Sequence, residues 1–268
     1  MKAQILGNVQ DGGVPHLGCE CDVCETAREN PAERKLISSV MLKQSSDQES
    51  ATYLIDATPD IRNQIGTRYI DGVFIPLATL GHITGLEFFG PEGPDATELS
   101  VYCSSDVQEY MMENDPYRLL IDRDTVETHT VKQGDAVEIQ GGSVEIMNFY
   151  HGHVNYQTTG YMVHGQSRKL FFLDDIMEFT EEIKDAIRKA DVALVDGTFW
   201  STEEIDRYEE VPHPPIRRSL DQLQGIDTDI YFTHMNHTNP VLREDSEERQ
   251  EVKERGFNVA ERGHEFNL

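Results

Sequence analysis

Asp229-Ile230-Tyr231-Phe232-Thr233-His234-Met235-Asn236-His237-Thr238-Asn239-Pro240 reads as a short apolar strand running straight into a polar turn with two histidines. The same arrangement recurs along the chain. Asp56, His82, His151, Asp174 and Asp196 each stand just after an apolar run, at Thr52–Asp56, Gly72–Leu77, Ser143–Asn148, Lys169–Leu173 and Val192–Val195. Loops at one rim of a rigid sheet are where sites are usually built, so these residues are the first candidates for chemistry. A lone histidine at a strand end is ordinarily hydrogen-bonded structure; it is the repetition that points to a site.

Working outward, further strands are expected at Gln4–Val9, Ser100–Cys103, Val137–Gln140 and Gly160–His164, with two short ones in Asn258–Leu268. Gly141-Gly142 marks a tight hairpin between Val137–Gln140 and Ser143–Asn148. Helices are expected at Ile83–Phe89, at Glu181–Ala190 with Ile183, Ala186 and Ile187 on one face, and at Asp245–Arg255. Twice the strands come first as hairpins and then alternate with helices. Two sheets packed face to face with helices outside satisfy both halves. Periodicity by itself supports only α/β, and no linker or repeat divides residues 1–268, so a single domain is expected.

The chain of 268 residues has 49 Asp and Glu against 23 Lys and Arg, a formal net charge of -26. Such a surface repels phosphate backbones and anionic lipid, so neither nucleic acid nor membrane is an expected partner. A small-molecule substrate fits better, with self-association into a homodimer left open. The charge is spread along the chain, as in a solvated acidic coat suited to high salt and a halophilic host. The N-terminus carries no signal-like apolar run, which makes the expected location cytoplasmic.

Cysteines 19, 21 and 24 lie too close together for ordinary disulfide pairing, and in a reducing compartment that crowding points to zinc. Three thiolates from one knuckle leave one tetrahedral position to fill. His16, Cys103 and His237 are all candidates by residue type, and spacing does not choose among them. Cys103 reads best as a small buried hydrophobe.

The opening Leu6-Gly7-Asn8-Val9-Gln10-Asp11-Gly12-Gly13-Val14-Pro15, followed by the Cys-x-Cys-x-x-Cys knuckle, resembles the start of the coenzyme PQQ synthesis protein B family. His234 to Pro240 resembles that family's His-x-Asn-x-Thr-Asn-Pro segment. Asp56-Ala57-Thr58-Pro59-Asp60, Gly81-His82-Ile83-Thr84-Gly85-Leu86 and Asp196-Gly197-Thr198 match in order between the two. The resemblance implies a four-layer αββα sandwich of the metallo-β-lactamase fold. A more distant resemblance, to the phosphonate-pathway cyclic phosphodiesterase, implies that His237 closes the zinc site of Cys19, Cys21 and Cys24 while His234 faces the active site.

Hydrolases of this fold usually hold two metals with a His-x-His-x-Asp-His segment. Here that stretch is Leu77-Ala78-Thr79-Leu80-Gly81-His82, which keeps only the last histidine. The PQQ synthesis family commonly retains an Asp before that histidine, and Gly81 departs even from this. His82, His151, Asp174 and His234 remain as the expected active-site metal ligands and catalytic residues, with Asp175 and His153 as close competitors. Two imidazoles and a carboxylate suit one Fe or Zn ion with open positions. Iron would bring O₂ and substrate together, zinc would activate water, and the resemblance favours oxidative chemistry on a PQQ precursor. Asp60, His213, Asn236 and Asn239 are the candidates to border the substrate pocket, although the two asparagines read better as loop-orienting residues. The competing functions are a metal-dependent hydrolase of phosphodiester or acyl bonds, and a non-catalytic small-molecule carrier.

Overall fold

The computed structural model describes residues 1–45, 50–66, 69–150, 157–211 and 213–268. Among these, fourteen strands form two sheets. The first holds β1 (Lys2–Gly7), β2 (Ser39–Ser45), β3 (Ser50–Ile55), β4 (Gly72–Ile75), β5 (Leu99–Cys103) and β6 (Val126–Thr130). The second holds β7 (Ala136–Ile139), β8 (Gly142–Tyr150), β9 (Gln157–His164), β10 (Lys169–Leu173), β11 (Val192–Asp196), β12 (Asp229–Thr233) and β13 (Asn258–Val259). The C-terminal β14 (Glu265–Asn267) crosses back to the free edge of β1. Each sheet begins with antiparallel hairpins and continues with parallel strands: β3, β4, β5 and β6 in one, β10, β11, β12 and β13 in the other. The two halves therefore share one grammar, as the sequence pattern implied.

Side-chain alternation makes the layers. In β10, Leu170 and Phe172 point into the sandwich, where they meet Ile5, Val40, Leu42 and Phe74 of the facing sheet. Phe171 and Leu173 point the other way, under α6 (Glu181–Arg188), α7 (Ile216–Gln222) and α8 (Glu247–Glu254). A strand buried on both faces reads as a continuous apolar run, and Leu170-Phe171-Phe172-Leu173 is one. The opposite outer face of the first sheet is covered by α2 (Ile61–Ile65), α3 (Leu80–Ile83), α4 (Ser105–Glu113) and α5 (Asp115–Asp122), around Val73, Ile75, Val101 and Met111. Cys103 is fully buried in this layer, as its reading as a small hydrophobe required. The result is the αββα sandwich. Among the described residues no helix is long and apolar enough to cross a membrane.

Two differences from expectation bear on the site. The helix expected over residues 83–89 is a single α-turn, α3, followed by a 3₁₀ stretch at Thr84–Phe89. Gly85 approaches so closely that a Cβ there would sit 2.4 Å from the Thr58 carbonyl oxygen, and this contact tightens the turn. The knuckle also opens a helix that the sequence did not announce, α1 (Asp22–Glu29), which buries only Cys24 and Ala27 and so carries no apolar stripe.

Candidate metal centres

The parallel strands deliver their C-terminal ends to one rim. Asp56 follows β3, the Asp174–Asp175 pair follows β10, Asp196 ends β11 and His234 follows β12. His82 arrives on α3 after β4, pinned by the Ala57 amide donating to its carbonyl at 2.9 Å. Asp56, Asp175 and His234 have positive φ of 72°, 53° and 59°. Left-handed backbone at a non-glycine residue costs of order 1–3 kcal/mol and persists only where the surroundings over-determine it. Three such residues in one cluster mark a rim held for its side chains.

Each histidine here is oriented the same way. His82 Nδ1 donates to Asp56 Oδ1 at 2.7 Å, and His213 Nδ1 donates to Asp196 Oδ2 at 2.8 Å. His234 Nδ1 lies 3.0 Å from Thr198 Oγ1. That leaves the Nε2 atoms facing a shared space, the arrangement in which an outer partner fixes the tautomer and the far nitrogen ligates. Asp11 Oδ1 is 3.8 Å from His82 Nε2 and 3.5 Å from His234 Nε2. Asp175 places Oδ2 3.6 Å from His82 Nε2 and Oδ1 3.8 Å from His213 Nε2. Asp174 is buried and groups with Asp56 and His82, with ligand atoms within 4.8 Å of one another.

The electrostatics favour a cation. The carboxylates of Asp11, Asp56, Asp174, Asp175 and Asp196 meet the imidazoles of His82, His213 and His234, an excess of negative charge in a buried space. Burial pushes the Asp56 carboxyl up to about 7 against the pull of His82. Burial alone would lower His234, but the carboxylates of Asp11, Asp174, Asp175 and Asp196 carry it up to about 10. Burial also opposes ionisation of Asp196, yet His213, His234 and the Thr198 amide hold its carboxyl below the usual range. Among the described residues, His82 Nε2, His234 Nε2, Asp11 Oδ1, Asp56 Oδ2 and Asp174 Oδ2 are buried with no hydrogen-bond partner. Buried polar atoms without partners are expensive, and five in one cluster of carboxylates and imidazoles suit a site for a divalent ion.

The knuckle forms a second group. Cys19, Cys21, Cys24 and His237 bring one ligand atom each within 4.8 Å of one another. His237 Nδ1 lies 3.5 Å from Cys19 Sγ and 3.6 Å from Cys21 Sγ. Tetrahedral zinc with Zn–S of about 2.3 Å and Zn–N of about 2.05 Å sets S and N roughly 3.6 Å apart. His16 instead lies against the His237 ring at 4.5 Å and donates its amide to Cys24 Sγ. Cys103 is remote in the first sheet.

A profile of the beta-lactamase superfamily domain matches residues 51–241. The chain belongs to that superfamily. It is also similar, at 27% identity over 305 residues and across 100% of both chains, to coenzyme PQQ synthesis protein B of Methylorubrum extorquens. The crystal structure of Zn(2+)-bound PqqB from Methylobacterium extorquens matches it with a TM-score of 0.85 at 26% identity, covering 100% of each chain. A diphosphatase from the PhnP family matches with a TM-score of 0.75 at 24% identity over 99% of this chain and 97% of the other, a likeness of fold.

Within this superfamily frame the expected site residues separate into three groups. His82 and His234 meet, with rings 5.9 Å apart, and His213 joins them, 5.7 Å from His234. His151 and its competitor His153 lie outside the described residues. Asp60, Asn236 and Asn239 turn to the backbone and to neighbouring loops. Asp60 Oδ2 accepts from the Ile37 amide, and Asn236 Oδ1 accepts from Gln10 Nε2. Asn239 is fully buried; its Nδ2 donates to the Gly197 and Thr198 carbonyls and its Oδ1 accepts from the Val241 amide. Asn239→Ala is expected to cost about 2–3 kcal/mol by stranding those groups, lowering the melting temperature by roughly 5–10 °C in calorimetry. Asp11 and Thr198 were not foreseen as site residues. The cue for Thr198 was its position two residues after the end of β11.

Proposed function

We propose that this chain is a metalloprotein of coenzyme PQQ synthesis, similar in role to protein B, acting on a small PQQ-precursor-like molecule in the cytoplasm. The observation that carries the reading is the coincidence of whole-length similarity to that protein with an oriented His82–His234 pair among buried carboxylates. Zinc at Cys19, Cys21, Cys24 and His237 is structural. One further divalent ion, iron or zinc, is held by Nε2 of His82 and His234 with a carboxylate of the Asp174–Asp175 pair, and His151 remains a candidate further ligand or acid–base group. When bound, that ion supplies Lewis acidity, and iron adds redox chemistry with O₂. Asp56 and Thr198 hold the two rings. His213, braced by Asp196 and facing Asp175, is placed to move a proton at the pocket wall. The even acidic coat suits a halophilic setting.

Complementation tests this reading. A strain unable to make PQQ for lack of protein B should recover it when this gene is supplied. Failure by a folded, metal-loaded chain would turn the assignment towards the hydrolase or carrier alternatives.

A generic dinuclear hydrolase is a poorer fit. Where the paired-histidine segment would stand, Leu77 is buried and apolar and Thr79 is exposed. Turnover of a simple phosphodiester is therefore expected to stay near background in a spectrophotometric assay; robust turnover abolished by a chelator would reverse the choice.

A further inference from the structure

We propose that Asp11 is a ligand of the second metal, a carboxylate brought from the N-terminal loop into the space that an acidic residue at position 81 would fill. The proposal rests on the metal reading above. A Cβ built at Gly81 would lie 2.2 Å from Asp11 Oδ1 and 2.7 Å from Asp11 Cγ. The Asp11 carboxylate thus occupies the volume of the missing side chain, and the two positions exclude each other: any residue but glycine at 81 would displace Asp11.

The backbone holds Asp11 there. Val9 pairs in parallel with Met235, the Met235 amide donates to the Asn8 carbonyl at 3.0 Å, and the Gln10 amide donates to the Met235 carbonyl at 3.0 Å. The loop bearing Asp11 is therefore stitched to the segment that carries His234. Its Oδ1 lies 3.5 Å from His234 Nε2 and 3.8 Å from His82 Nε2. Two ligands of one tetrahedral ion at about 2.1 Å are roughly 3.4 Å apart, so a small contraction closes the set. Both Nε2 atoms are buried, with His82 1% and His234 3% exposed, and neither has a hydrogen-bond partner among the described residues.

Zn(II) titration of the full chain, with Co(II) absorption as a second readout, tests this. The wild type should hold two ions. Asp11→Asn, which keeps shape but removes charge, should keep the knuckle zinc and weaken the second site by at least about 100-fold, beyond the 10–100-fold loss usual for an outer partner. The exchange D11G/G81D should recover affinity to within about fivefold of wild type and the Co(II) spectrum with it, while Asp11→Gly alone should not. An Asp11→Asn variant with unchanged second-site affinity would overturn the assignment and leave Asp11 as an ion-pair partner of the histidines. So would an exchange no better than Asp11→Gly. A wild type binding one ion only would instead sink the underlying metal reading, and this proposal with it.

Discussion

Replacing Cys21 by serine is expected to release the knuckle zinc and lower the melting temperature by roughly 10 °C or more. The knuckle is no isolated appendage. His237 reaches it from the loop after β12, three residues beyond His234, so a zinc held there would tie residues 19–24 to the rim that carries His234. Without the ion, three sulfurs and an imidazole crowd together with only weak hydrogen bonds among them. The loop carrying Asp11 is anchored between this knuckle and Met235, so its order should suffer as well. Metal analysis with differential scanning calorimetry measures both effects. Cys21→Ser with full zinc content and unchanged melting would refute the structural role. Cys103→Ser serves as the control that keeps its zinc, because that thiol is enclosed by the first sheet's apolar layer.

The parts of the fold that could be read directly were those whose residues carry the pattern in themselves. The strands β3, β10 and β11 announce themselves as apolar runs leading into Asp56, Asp174 and Asp196, and α6 carries Ile183, Ala186 and Ile187 on one face. Elements without such a signal escaped. α1 buries only a cysteine and an alanine, and β2, at Ser39–Ser45, lies in a stretch with no alternation or turn signal to mark it. The same distinction runs through the site. His82 and His234 were legible because each closes an apolar strand or its following turn. Asp11 was not, because its role depends on contact with residues 71 and 223 positions away. The hint lay in its complement, the unexpected Gly81, which only becomes meaningful once the loop and the turn are seen to share one space. His213, an ambiguous histidine in a Pro-rich loop, gains its meaning from Asp196, the buried carboxylate that orients it.

The second large effect is expected at His82. If the wild type holds two ions, as proposed, His82→Ala should remove one and leave the knuckle zinc in place, with second-site affinity falling by at least about 100-fold. That exceeds the 10–100-fold loss usual for an outer partner. Asp56→Asn provides the comparison. Asp56 Oδ1 accepts from His82 Nδ1; if Asp56 acts only by orienting that ring, its loss should fall inside that range. The ordering of the two variants separates a ligand from a buried ion-pair partner. If the cluster were merely a set of imidazolium–carboxylate pairs, removing either member would strand the other in a buried setting, and both substitutions would destabilise the fold without altering the metal count. Asp174→Ala extends the test to the carboxylate side, where a buried oxygen has no partner among the described residues. Anaerobic loading with Fe(II) beside Zn(II), read by metal content and calorimetry, completes the measurement. A wild type that binds only the knuckle zinc, with His82→Ala and Asp174→Ala binding the same amount, would remove the catalytic reading. The cluster would then be an ion-paired framework, and small-molecule binding without catalysis would become the better account of this superfamily member.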